Sequence, residues 1–211
     1  GVWDYDSAPV MHRIRGKTVG LVFFGSIPKA MVPMLKGLGL RILAYAPTKT
    51  AAYLSSFGVE KAGTLDDLLR ESDFVSLHMP LKEETYHMIG AEQLGKMKRT
   101  AFLINTARGS VVDEAALGDA LQNGTIAGAA VDVIEDVEGH KTVLTSLENT
   151  VVTPHTAFLS EESFYKAREI ALRQLVQRLV RQEPPENLVN RELADRMSGC
   201  RNRGPEAARS T

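Results

Sequence analysis

The chain has 211 residues, 44% of them hydrophobic and 24% charged, enough apolar material for one well-filled core. Its 25 Lys and Arg stand against 26 Asp and Glu, a net charge of −1 with no basic stripe, which argues against a nucleic-acid surface. No apolar run approaches the ~20 residues needed to span a bilayer and no signal-peptide pattern is read. The single cysteine, Cys200, excludes a disulfide within the chain, so a reducing, cytoplasmic setting is expected.

In chain order the pattern alternates between strand and helix. Residues 18–24 (Thr-Val-Gly-Leu-Val-Phe-Phe) read as a buried strand. Residues 27–38 read as a helix, with Pro28 acceptable in its first turn and a kink expected at Pro33. A strand over 41–45 and a helix over 48–56 follow. Thr64-Leu65-Asp66-Asp67 has the spacing of a capping box and starts a helix reaching about Glu71. Then come a strand over 74–77, a helix over 91–94, a strand over 101–105 and a helix over 113–122. Strands over 126–133 and 149–153 complete the alternation. The longest helix, 161–181, sets Phe164, Ala167, Ile170, Ala171, Leu175 and Leu179 on a helical period. Strands separated by helices predict an α/β fold, a doubly wound parallel sheet of Rossmann type over residues 1–190. Residues 191–211 are polar and tail-like and are expected to be disordered.

The most informative stretch is Ala101-Phe-Leu-Ile-Asn-Thr-Ala-Arg-Gly109. A short apolar strand runs into a turn that presents Thr106, Ala107 and Arg108 at its carboxyl end. In an open parallel sheet ligands bind beyond those ends. A guanidinium there is a rigid fork suited to a carboxylate.

Asn105-Thr-Ala-Arg-Gly109 with Val112-Asp-Glu114 resembles the signature of the D-isomer-specific 2-hydroxyacid dehydrogenases. So do Leu77-His-Met-Pro-Leu81 with Thr85, Ala129-Ala-Val-Asp-Val133, and Thr153-Pro-His-Thr-Ala157. Order and spacing agree over residues 1–190. Within the family the likeness is to the branch of phosphoglycerate dehydrogenases and C-terminal-binding-protein corepressors.

The resemblance implies a nicotinamide cofactor, NAD or NADP, a small 2-hydroxy or 2-oxo acid as substrate, and a homo-oligomer, a dimer in the family. It implies that Arg108 binds the substrate carboxylate and that His155 is the general acid/base, as its ordinary pKa allows. Gly25, Ser26 and Ile27 would border the pyrophosphate. His78, Pro80, Thr106, Ala107 and Asp132 would lie along the cofactor, with Asp132 at the nicotinamide carboxamide. A satisfied structural histidine is the alternative reading of His78. His12, His87 and His140 have no partners at metal-ligand spacing, and no metal is expected. The family's substrate domain is largely absent from this chain, which starts at Gly1 rather than Met.

Four positions depart from the family pattern. In G-x-G-x-x-G, the match is Phe23-Phe24-Gly25-Ser26-Ile27-Pro28, which keeps only the middle glycine. Phe23 is expected to push the loop outward, and the helix N-terminus still favours phosphate. Ala46 stands where an acid would accept from the ribose hydroxyls. Without that acid, Thr48, Lys49 and Thr50 either accept a 2′-phosphate, favouring NADP, or simply begin a solvated helix. The glutamate that orients the histidine falls on Val137, with Glu138 at the following proline; a one-residue shift would bring Asp136 or Glu138 there. Two readings remain: the cofactor-binding portion of an oxidoreductase, or a non-catalytic relative used for dinucleotide sensing or assembly.

Overall fold

The structure is a computed structural model that describes residues 3–4, 11–135 and 142–190. Asp136, Val137, Glu138, His140, Cys200 and the tail read over 191–211 lie outside the described residues. The chain divides into two compact units, Gly1–Ala157 and Phe158–Thr211.

The first unit is built on seven parallel strands: β1 (Thr18–Val22), β2 (Arg41–Tyr45), β3 (Glu60–Lys61), β4 (Phe74–Leu77), β5 (Phe102–Asn105), β6 (Gly128–Val131) and β7 (Thr150–Val152). Their order across the sheet is β3-β2-β1-β4-β5-β6-β7. The chain therefore winds outward from β1 through β2 to β3, then returns to β4 on the other side. The reversal opens a crevice beyond the carboxyl ends of β1 and β4.

The linking helices are α1 (Ser26–Gly37), α2 (Ala51–Ser55), α3 (Leu65–Glu71), α4 (Ala91–Lys96) and α5 (Glu114–Gln122). Alternation along each strand splits the core between the two faces of the sheet. Val19, Leu21, Ile42 and Ala44 join Val32 of α1 and Leu54 of α2 in one cluster. Val22, Leu43, Val75, Leu77 and Leu103 join Leu68, Leu94 and Leu117 in the other. Buried on both faces, these strands carry runs of aliphatic residues, as a covered parallel sheet requires.

The helix starts follow from their caps. Thr64 accepts from the N–H of Asp67, and the Asp67 carboxylate accepts from the N–H of Thr64, closing the predicted capping box. Asp113 accepts from the N–H of Ala116 and starts α5. Thr50 accepts from the N–H of Tyr53, so the helix expected from 48 begins at Ala51. Pro33 lies inside α1, which runs through it as one element. The two-residue β3 is too short to show a periodic pattern.

The second unit holds α6 (Glu161–Leu179), capped by Ser160 accepting from the N–H of Ser163, with Glu161 and Glu162 in its first turn. None of its residues is buried, and Phe164, Leu172, Leu175 and Leu179 are exposed.

Candidate active site

The strand register decides what meets at the carboxyl edge. Val22 pairs with Tyr45 and with Leu77, Leu77 with Asn105, Asn105 with Val131, and Val131 with Val152. These residues form one row across the sheet. The next residue of each strand, Phe23, Ala46, His78, Thr106, Asp132 and Thr153, therefore leaves the sheet at the same level.

At the end of β1 the turn is tight. Phe23 has φ +71°, a left-handed conformation that costs a non-glycine residue about 1–2 kcal/mol. Its N–H donates to the carbonyl of Tyr45 at 2.8 Å. The backbone thus keeps the shape a glycine would supply. The expected outward push does not follow, because the ring packs against the larger core cluster. Gly25 is the N-cap of α1, and a Cβ placed on it would meet no atom within 4 Å. Ser26 and Ile27 are exposed beside it, while Pro28 is buried against the sheet. No acid sits in the first turn of α1. An open approach to backbone N–H groups at a positive helix end fits a dinucleotide pyrophosphate.

At the end of β2, Ala46 is 2% exposed within an apolar cluster and offers no acceptor for a ribose hydroxyl. Thr48 is exposed and Lys49 half-buried, its ammonium 5.4 Å from the centre of the Tyr53 ring. Thr50 spends its hydroxyl oxygen on the α2 cap.

At the end of β4, His78 donates its backbone N–H to Val22 and places Nε2 2.9 Å from the Ser76 hydroxyl. Burial pushes its imidazole down to about 4, so it is neutral at physiological pH. The Pro80 carbonyl accepts from the buried Thr85 hydroxyl at 2.7 Å, which accounts for Thr85 in the sequence block.

The turn after β5 is held from within. Asn105, 1% exposed, donates through Nδ2 to the carbonyl of Arg108 and accepts at Oδ1 from the N–H of Ala107. Thr106 and Arg108 are exposed, and one Arg108 nitrogen donates to the carbonyl of Ala107 at 2.7 Å. Gly109 permits a close crossing, since a Cβ there would lie 1.7 Å from the carbonyl oxygen of Ile134.

After β6, Asp132 is 5% exposed and accepts from the Thr153 hydroxyl at 2.5 Å, the Thr156 N–H at 2.8 Å and the Ala157 N–H at 3.0 Å. Burial opposes its charge. The three donors and the nearby His155 outweigh that and hold the carboxyl below its ordinary range. His155 is exposed with φ +56° and donates its N–H to the carbonyl of Asp132 at 2.8 Å.

Arg108, Asp132 and His155 line one cavity of about 690 Å³, together with Ser110, Glu135 and the apolar Leu81, Val133 and Ile134. Glu135 accepts from His87 Nε2 at 2.6 Å, and the Tyr86 ring stacks on that imidazole. Sequence reasoning missed Glu135, Ser110 and the His87 pair. The partners lie 48 residues apart, and no local spacing announces them. Val137 and its neighbours, the expected orienting segment, lie outside the described residues.

A parallel sheet with a reversal of winding, an open glycine at the first helix and polar groups gathered at the carboxyl edge defines a dinucleotide-binding domain. Residues 1–157 match the model for "D-isomer specific 2-hydroxyacid dehydrogenase, NAD binding domain", and the chain belongs to that family. It is 46% identical over 197 residues to a glyoxylate reductase of Korarchaeum cryptofilum, covering 92% of this chain and 59% of the relative. It is 42% identical over 180 residues to a glyoxylate reductase of Thermococcus litoralis, covering 85% and 54%. Among solved structures, D-lactate dehydrogenase with NAD+ from Lactobacillus jensenii aligns at TM-score 0.77 and 33% identity, covering 85% of this chain and 57% of that one. The chain thus spans somewhat over half the length of these relatives. Neither curated relative is named for the phosphoglycerate dehydrogenase and corepressor branch.

Proposed function

We propose that this chain is the cofactor-binding portion of a nicotinamide-dependent oxidoreductase that interconverts a 2-oxo acid and a D-2-hydroxy acid. Glyoxylate is the first substrate to test, since the two relatives above are named glyoxylate reductases. The observation that carries the reading is the convergence of Arg108 and His155 on one cavity at the carboxyl edge. A bound nicotinamide would supply the hydride. The residues to hold that cofactor are Gly25, Ser26 and Ile27 at the pyrophosphate, with His78, Pro80, Thr106, Ala107 and Asp132 along the crevice and Thr48 and Lys49 at the ribose.

The Arg108 guanidinium pairs with the substrate carboxylate and draws charge from the adjacent carbonyl. His155 donates a proton to the carbonyl oxygen during reduction and takes it back during oxidation. Asp132 holds the segment that carries His155. The assembly is a homodimer and the setting cytoplasmic.

Titration of the chain with NADH, followed by glyoxylate-dependent NADH oxidation, tests this reading. Binding is expected, with little or no turnover for these 211 residues alone and slow turnover once a substrate domain of the family is supplied. His155→Ala and Arg108→Ala are each expected to lower turnover by roughly 10²- to 10⁴-fold, the range of a general acid. Turnover that survives His155→Ala would overturn the assignment. A second reading, a non-catalytic dinucleotide sensor or assembly module, draws on Phe23 in the glycine position and on Ala46 at the ribose position. It predicts NADH binding without oxidation, unchanged by either substitution.

A further inference from the structure

The geometry points to a 2′-phosphate site formed by Lys29 and Lys49, both beside the Tyr53 ring, which makes NADP(H) the preferred dinucleotide. This rests on the dehydrogenase reading above and adds the choice of cofactor to it.

Two elements that border a dinucleotide each send a cation to the same ring. Lys29 belongs to the first turn of α1, its N–H donating to the carbonyl of Gly25 at 3.3 Å, and its ammonium lies 5.4 Å from the centre of Tyr53 and 5.9 Å from that of Phe57. Lys49 belongs to the turn after β2, its N–H donating to the carbonyl of Ala46 at 3.0 Å, and its ammonium lies 5.4 Å from Tyr53. Tyr53 is fixed in turn by the Phe24 ring at 6.5 Å, next to Gly25 in sequence. A third cation, Lys61, donates through Nζ to the carbonyl of Lys49 at 2.7 Å.

Like charges repel, and one ring face stabilises a cation by only about 0.5–1 kcal/mol at an exposed site. Neither Lys29 nor Lys49 has a carboxylate partner among the described residues. Convergence of positive charge without a counter-ion is the arrangement that a doubly charged anion relieves. The position supports the same ligand. In this fold the ribose of the adenosine half lies at the end of the second strand, where an acid selects a free 2′-hydroxyl and a nearby cation accommodates a 2′-phosphate. Ala46 removes the acid and, at 2% exposure, leaves no polar atom to replace it.

The test is a pair of fluorescence titrations, NADPH and NADH, on the 211-residue chain at low ionic strength, with 2′,5′-ADP and 5′-ADP as competitors. A charge-assisted contact predicts NADPH binding at least about tenfold more tightly than NADH. Lys29→Ala and Lys49→Ala should each reduce that preference several-fold by weakening NADPH alone, and Lys29→Arg or Lys49→Arg should retain it. Circular dichroism confirms that each variant is folded. Equal binding of the two dinucleotides, or an NADPH affinity indifferent to both alanine variants, overturns the phosphate site and leaves the dehydrogenase reading standing. Failure of the folded chain to bind either dinucleotide or either competitor overturns both.

Discussion

Asp132 fixes the backbone of His155 through both ends of its own residue. Its carbonyl accepts the His155 N–H at 2.8 Å, and its carboxylate accepts from Thr153, Thr156 and Ala157 on either side. His155 is thereby held at φ +56°, a conformation a non-glycine residue keeps only when its surroundings impose it. Replacing Asp132 by Ala leaves three donors without an acceptor. The expected loss is about 1–3 kcal/mol of stability, with faster amide exchange at 153–157. Denaturant unfolding and hydrogen exchange check both, and unchanged exchange in that segment would refute the positioning role.

Gly109 is needed for closeness rather than for its φ. With the Ile134 carbonyl 1.7 Å from the place of a Cβ, Gly109→Ala must move the Arg108 turn or the segment after β6. The expected cost exceeds about 2 kcal/mol, the level of a core overpacking change. Gly25→Ala, where a Cβ meets nothing, is the control and should leave the unfolding midpoint almost unmoved. Equal midpoints for the two variants would contradict the crossing.

His78 gives the unit a pH dependence. Burial lowers its pKa from 6.5 to about 4, so the folded protein keeps it neutral where the unfolded chain takes up a proton. Stability should fall as pH drops from about 6.5 toward 4 and gain nothing further from this group below that. The difference of about 2.5 pH units corresponds to a total of about 3.4 kcal/mol at about 1.36 kcal/mol per unit. His78→Asn should flatten this interval in urea titrations run at several pH values. A wild-type curve already flat between pH 6.5 and 4.5 would refute it.

The helix of the second unit carries Phe164, Leu172, Leu175 and Leu179 in the open, more apolar surface than a solvated helix usually leaves uncovered. A dimer or larger oligomer is expected at tens of micromolar concentrations. Sedimentation equilibrium gives the mass directly, and Leu172→Glu with Leu175→Glu should shift it toward the monomer. A clean monomer for the unsubstituted chain would refute the assembly.

Much of this was readable in the linear chain. Strand runs such as Arg41–Tyr45 and Phe74–Leu77 appear at the predicted bounds, because aliphatic residues buried on both faces of a parallel sheet leave an unbroken pattern. The Thr64 and Asp113 caps were legible because their partners lie three residues away. Family blocks placed Arg108 and His155 for the same reason: each block is local, and its residues keep their spacing.

The remainder depended on approach between distant segments. Register alone set Phe23, Ala46, His78, Thr106, Asp132 and Thr153 at one level, and no pattern within a single strand encodes it. Phe23 turned inward because the core offered its ring a place, which propensity at a glycine position does not anticipate. The pairing of His87 with Glu135, and the approach of Lys29 and of Lys49 to the Tyr53 ring, bring together residues from separate segments of the chain. Local sequence determines which elements form and which chemical groups they carry. The winding of the sheet decides which of those groups meet, since contact across it is a property of the packed chain and not of any one segment.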